Sequence, residues 1–271
     1  MKVLLTGSSG FIGTHVLKQL LKQGHKVICL GRTKPELESS NVEWKYCDMH
    51  AFQGFDFDLP EHLIHLAWKN LPNYNEDFHI NENLSAQKNF LNLAIQAGVK
   101  NLTVAGTCLE YGLQEGELHE ELDCNPTVPY AMAKQKLRQY LEGLQSDFSI
   151  SLKWLRLFYM YGEGQSPRSI IPLLHKAVED GEKTFKMSGG EQIRDYSRVE
   201  DMASYIVKSA MQSEVNGIIN CGSGLGIPLK DFIFEYIEKN KLDIELELGH
   251  YPYNKYEPMS FWSRTEKLKK I

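Results

Sequence analysis

The 271 residues suffice for one large α/β domain or for a domain carrying a smaller lobe. A hydrophobic content of 42%, a charged content of 24% and a net charge of −5 describe an ordinary globular chain, with no sign of nucleic acid or a membrane surface as partner. No apolar run approaches a membrane span, residues 1–7 reach glycine before a signal-peptide core can form, and Cys29, Cys47, Cys108, Cys124 and Cys221 are scattered without a C-x-x-C pair. A cytoplasmic protein without disulfides or a metal centre is expected.

Taken in chain order, Lys2–Thr6 reads as a strand and residues 11–23 as a helix with Phe11, Ile12, Val16, Leu17, Leu20 and Leu21 inward, ended by Gly24. Strands are predicted at 25–30, 43–47, 63–67 and 102–105, with a helix at 83–97 before the last of these. A helix at 131–144 and a strand at Ser151–Leu157 follow, then helices at 169–180, 201–211 and Leu229–Asn240. Strands alternating with helices imply βαβ units and a parallel sheet. No repeat, low-complexity tract or linker interrupts the chain.

Between the first strand and first helix lies Thr6-Gly7-Ser8-Ser9-Gly10-Phe11-Ile12-Gly13. Glycines at 7, 10 and 13 permit a tight turn, close approach of a pyrophosphate and close helix–strand contact, while the helix N-terminus offers N–H groups to the anion. This placement predicts an α/β fold of the Rossmann type: a doubly wound parallel sheet with a small C-terminal substrate-binding lobe. Residues 1–160 are expected to form the dinucleotide-binding core, and residues 161–271 mainly the lobe packed on it. The second strand ends in Gly31-Arg32, where an NAD site usually carries a carboxylate for the ribose. Glycine leaves room for a 2′-phosphate and arginine can pair with it, so NADP(H) is the predicted cofactor.

Tyr130-Ala131-Met132-Ala133-Lys134 sets a phenol and an ammonium on one helix face, one turn apart. A neighbouring cation is expected to stabilise the phenolate and lower the tyrosine pKa, and Pro129 marks the helix start, where the dipole acts in the same direction. Thr107 closes the fifth strand at a carboxyl end, where it can hydrogen-bond a reacting oxygen. Tyr130, Lys134 and Thr107 are the predicted catalytic residues.

These three elements together resemble the extended short-chain dehydrogenases/reductases, also called the NAD-dependent epimerase/dehydratase family, over nearly the whole chain. The resemblance implies an adenine contact for Asp48, in Tyr46-Cys47-Asp48-Met49, and places Leu66 and Ala67, in His65-Leu66-Ala67, beside the cofactor. Leu155-Arg156-Leu157-Phe158-Tyr159-Met160-Tyr161-Gly162 is similar to its R-x-F-N-x-Y-G stretch, and residues 189–201 to its G-G-x-Q-x-R-D-F-x-x-V-x-D block, which implies that Arg194 contacts a nucleotide-sugar. Two departures stand out. Cys108 and Leu109 occupy the places of the Asp-Glu pair that performs elimination in sugar dehydratases, so dehydration is not expected. Tyr159 replaces the usual substrate-contacting asparagine.

A redox-neutral epimerase re-reduces its own substrate and can retain one NAD, whereas a net reductase needs fresh hydride each turnover. Gly31-Arg32 therefore tilts the reading to reduction, and the motif variants look most like nucleotide-sugar 4-keto reductases of deoxysugar pathways, which serve surface-polysaccharide precursor synthesis. An epimerase, or a catalytically silent NADP sensor, is the alternative. The resemblance also implies a homodimer through the helices at 83–97 and 131–144. His15, His25, His62, His65 and His79 lack metal-ligand spacing, and Trp68, Trp154 and Trp262 read as core or rim aromatics.

Overall fold

A computed structural model describes residues 1–253 and 258–271. The first half comprises β1 (Lys2–Thr6), α1 (Phe11–Lys22), β2 (Lys26–Gly31), β3 (Val42–Tyr46), β4 (His62–His65), α2 (Leu84–Gln96) and β5 (Asn101–Thr107). Then come β6 (Gly116–Leu118), α3 (Pro129–Leu144), β7 (Ser151–Leu157), β8 (Tyr159–Tyr161), α4 (Ile170–Glu179), β9 (Thr184–Lys186), β10 (Ile193–Arg194) and β11 (Tyr196–Arg198). The chain closes with α5 (Val199–Met211), β12 (Gly217–Cys221), β13 (Ile227–Pro228), α6 (Leu229–Asn240), β14 (Glu245–Glu247) and β15 (Phe261–Ser263).

Seven strands form one parallel sheet in the order β12-β7-β5-β4-β1-β2-β3. The chain winds outward from β1 in both directions, so the crevice between β1 and β4 is where the topology switches. Both faces are covered, which is why β1 buries four consecutive residues after Lys2 instead of alternating. Val3 and Leu5 join Val16, Leu17, Leu20, Met202 and Ile206 under α1 and α5. Leu4 points to the opposite layer with Phe90, Leu91, Leu137 and Leu141 of α2 and α3. This is the doubly wound arrangement the sequence predicts.

Gly24, at φ +78°, ends α1, its N–H bonding Leu21 O at 2.9 Å while the His25 N–H reaches Leu20 O at 3.1 Å. The strand β12 is a surprise of the sequence: Gly217-Ile218-Ile219-Asn220-Cys221 carries an asparagine in a fully buried position. Asn220 is satisfied there, accepting from Tyr111 Oη at 2.7 Å and donating to Leu118 O at 2.9 Å. The segment 161–271, expected mainly as a lobe, thus also supplies α5 and β12 to the core. The lobe itself gathers α4, α6, β9 and β14 around Ile171, Leu174, Phe185, Met187, Phe232 and Ile233.

Candidate active site

The first strand turns sharply at Gly7, whose φ of +75° is open to glycine, and the Gly10 N–H closes the turn on Gly7 O at 3.0 Å. A Cβ at Gly13 would fall 1.9 Å from Gly7 O, so only glycine lets α1 begin against the turn. A Cβ at Gly10 would meet nothing but that same oxygen, at 3.3 Å, so this backbone is bare toward the cleft. Gly10 is also the N-cap of α1, which has no side-chain cap and no acidic residue in its first turn. Bare backbone and uncapped N–H groups fit the diphosphate of a dinucleotide.

A cleft of about 920 Å³ runs along the carboxyl ends of the strands. Its walls include Gly7, Ser9, Gly10, Phe11, Ile12 and Gly13 from the turn, Arg32 after β2, Asp48 and Met49 after β3, and Leu66 and Ala67 after β4. Thr107, Tyr130, Tyr159 and Arg194 line it farther along. Lys134 lies just behind this wall, 2% exposed. Arg32 is exposed, and Asp48 is anchored by accepting the His50 N–H at 3.1 Å.

The crevice is fastened by a buried chain of hydrogen bonds. Gln87 Oε1 accepts from His65 Nε2 at 2.6 Å, which leaves His65 Nδ1 to accept the Thr6 hydroxyl at 3.0 Å. Thr6 Oγ1 accepts in turn from the N–H groups of Leu66 and Ala67, each at 3.2 Å. The network needs a neutral imidazole, and burial pushes His65 down to about 3, with the Lys134 charge adding to the effect.

Thr107 ends β5 and caps the short turn Cys108–Tyr111, its Oγ1 accepting from Leu109 N at 3.3 Å. That bond leaves the hydroxyl proton available, and the Thr107 side chain is a hydrogen-bond partner of the Tyr130 phenol. The buried carboxylate of Glu110 holds this strand end, accepting from Thr107 N at 2.9 Å, Trp154 Nε1 at 2.9 Å and Arg156 Nε at 3.2 Å. Tyr130 sits in the first turn of α3, which opens with Pro129, and its own N–H donates to Tyr74 O at 3.1 Å. Lys134 lies one turn on, with Nζ donating to Ala105 O at 2.7 Å and lying 5.9 Å from the Tyr130 ring centre.

The electrostatics differ from the sequence expectation. Burial pushes the Tyr130 phenol up, not down, with only Thr107 acting in the lowering direction. The same burial pushes Lys134 down to about 7, against the opposing attraction of Glu110. Burial thus weakens the hold of Lys134 on its proton, so desolvation overrides the help that spacing alone promises. Burial favours the protonated phenol.

At the far end, Arg194 is 4% exposed, donates Nη1 to Ile193 O at 2.8 Å and to Met259 O at 3.3 Å, and lies 4.6 Å from the Phe261 ring centre. Its neighbour Asp195 turns to a different task, accepting from Ser223 N at 2.7 Å, Ser223 Oγ at 2.6 Å, Gly224 N at 3.1 Å and Ser263 N at 3.1 Å. Sequence reasoning missed Gln87 and Glu110, and gave Trp68, which lines the cleft, only as a core or rim aromatic. Only Glu110 carried a signal, as a carboxylate three residues after the candidate threonine, the capping-box spacing. Among the described residues no group of His, Cys, Asp or Glu could hold a metal ion, and no helix is long and apolar enough to cross a membrane.

Residues 3–222 match the model of the NAD dependent epimerase/dehydratase family, and the chain belongs to that family, whose enzymes use a nicotinamide dinucleotide. It is 33% identical to a dTDP-6-deoxy-L-talose 4-dehydrogenase (NAD(+)) of Aggregatibacter actinomycetemcomitans, over 97% of this chain and 99% of that one. It is 27% identical to a GDP-6-deoxy-D-talose 4-dehydrogenase of the same organism, over 83% of this chain and 76% of that one. The solved structure of MoeE5 in complex with UDP-glucuronic acid and NAD superposes with a TM-score of 0.86 at 24% identity, covering 100% of this chain and 92% of that one, a likeness of fold.

Proposed function

We propose that this protein reduces the 4-keto group of a 6-deoxy nucleotide-sugar with NADPH, in the cytoplasm, on the way to a surface-polysaccharide precursor. The observation that carries the reading is the meeting of Thr107, Tyr130 and Lys134 beside a cleft whose other end is a bare glycine turn. Both talose relatives support position C4 and a 6-deoxyhexose, since their names place a dehydrogenase there. The name of the first also carries NAD(+), whereas the exposed Arg32 and the lack of a carboxylate in Gly31-Arg32 favour a 2′-phosphate.

A bound nicotinamide dinucleotide would supply hydride to the carbonyl carbon. Tyr130 gives its proton to the carbonyl oxygen, for which a phenol kept protonated by burial is suited. Thr107, its oxygen already accepting from Leu109 N, directs its own proton at the same atom. Lys134 steadies the phenolate left behind until solvent restores the proton. Arg194 and Tyr159 receive the nucleotide-sugar from the lobe side, and α2 and α3, which pack side by side on one sheet face, join two copies into a homodimer.

The test is loss of NADPH absorbance with dTDP-, CDP- and GDP-linked 4-keto-6-deoxyhexoses. Turnover with one of them is expected. Isomerised sugar with no net cofactor consumption would mark an epimerase, and cofactor binding without turnover of any sugar a silent sensor.

A further inference from the structure

Next to the large cleft lies a small cavity of about 60 Å³ that shares Tyr74, Cys108 and Leu109 with it. We propose that this cavity receives the C6 methyl of the sugar and disfavours a 6-hydroxyl, so that it sets the selectivity for 6-deoxyhexoses. The inference rests on the reading of C4 as the reacting carbon.

The cavity has two unlike parts. Its floor is formed by Cys108, Leu118 and Phe261, which are 6%, 1% and 2% exposed. They belong to one apolar cluster with Tyr111 and Phe158, against which Leu109 packs. Polar side chains lie at the rim, where Tyr74, Asn75 and Thr127 are exposed. The space exceeds the roughly 10–15 Å³ of such volume that a single water-sized group requires, so a methyl fits.

Connectivity of the sugar selects the occupant. With the C4 oxygen on Thr107 and Tyr130, the groups on the adjoining ring carbons fall beside that pair. C3 carries a hydroxyl that needs polar partners; C5 carries C6, a methyl in a 6-deoxyhexose. The residues that directly follow Thr107 are Cys108 and Leu109, and they open onto an apolar floor. A methyl there leaves water for carbon and sulfur surface, which is favourable. A hydroxyl entering the same place would exchange water for a weak thiol donor and hydrocarbon. Apolar pockets of this kind discriminate against an added hydroxyl by up to about a hundredfold. Carboxylates at positions 108 and 109 would forbid such a floor, so the departure from the dehydratase pattern gains a positive role.

The experiment compares kcat/KM of the enzyme with its dinucleotide for two nucleotide-hexoses that differ only at C6, methyl against hydroxymethyl. The wild type is expected to prefer the 6-deoxy sugar by about ten- to a hundredfold. Cys108→Ser and Leu109→Asn, each adding a polar group at the floor, should cut that ratio about tenfold. Equal use of both sugars by the wild type, or a ratio that neither variant moves, overturns the pocket while the C4 reading stands. Turnover of neither sugar, with dinucleotide bound, overturns the C4 reading and the pocket with it.

Discussion

The indole of Trp68 roofs Lys134, whose Nζ lies 4.0 Å from the ring centre, and the same indole meets the Tyr130 ring at 5.8 Å in an edge-on contact. Trp68 is itself fixed, donating Nε1 to His79 Nδ1 at 3.0 Å, while His79 Nε2 donates to Asn73 O at 3.0 Å. The roof has two opposed effects on the ammonium: its π face attracts the charge, and its bulk keeps water away. Burial dominates, since Lys134 is pushed down to about 7.

Removing the roof should therefore raise the Lys134 pKa. In Trp68→Ala the limb of the kcat/KM profile where Lys134 loses its proton, expected near pH 7, should move upward by about one unit. A profile that stays in place would assign that limb to another group.

Tyr130→Phe removes the proposed proton donor but keeps the ring that packs on Trp68 and Tyr74. Turnover should fall by about a thousandfold, within the usual range for a lost general acid. Dinucleotide affinity, measured by fluorescence titration, should change less than about threefold. Substantial residual activity would move the proton transfer elsewhere.

Lys134 is kept at a cost in stability. Its folded pKa of about 7 lies below the ordinary 10.5, so between these values the unfolded chain holds a proton that the folded chain has released. Stability consequently rises with pH across that window, and the burden of the buried charge is fully present below pH 7. Lys134→Met should unfold at higher denaturant than the wild type at pH 6, by about 1–4 kcal/mol. The gap should narrow as pH climbs from 7 toward 10.5. A variant less stable at pH 6 would contradict this.

His65 acts in the acid range. Its folded pKa of about 3 lies below the ordinary 6.5, so the stability it contributes is complete above pH 6.5 and drains away as pH falls toward 3. His65→Leu, which cannot take a proton, should show a flatter decline across that interval. It should also start lower at neutral pH by about 1–3 kcal/mol, because Thr6 loses its acceptor. Parallel curves for the two proteins would remove His65 from the account.

Arg32→Glu places a carboxylate where the 2′-phosphate is proposed to lie. The ratio of kcat/KM for NADPH over NADH should drop by at least about a hundredfold, through KM more than kcat. A wild type that already prefers NADH would refute the phosphate role outright.

What the sequence reveals of this site is what is local. The glycine turn and the Tyr130–Lys134 pair are set by spacing along one segment, and spacing is readable. The hydrogen-bonded chain from Gln87 through His65 to Thr6 joins three separate elements, and Trp68 acquires its role only because α3 brings Lys134 beneath it. The direction of the Tyr130 shift was hidden for the same reason, since burial is a property of the packed molecule. In β12, the polar Asn220 masks the apolar signature that marks the other inner strands, and its partners Tyr111 and Leu118 lie far away in the chain.

The pairing of β15 with β6 sets Phe261 opposite Gly116 and Ser263 opposite Leu118, while Ser263 also binds the Asp195 carboxylate next to Arg194. Residues 261–263 therefore line the small cavity through Phe261 and brace the Arg194 end of the cleft. A premature stop codon shortly before Phe261 would strip Phe261 from the small cavity and also remove Leu268, which packs in the core with Ile219 and Cys221 of β12, and Lys267, whose Nζ donates to Ile218 O at 2.9 Å. Such a truncated product should unfold at a lower denaturant concentration than the 271-residue chain, because an edge strand of the sheet loses part of its cover.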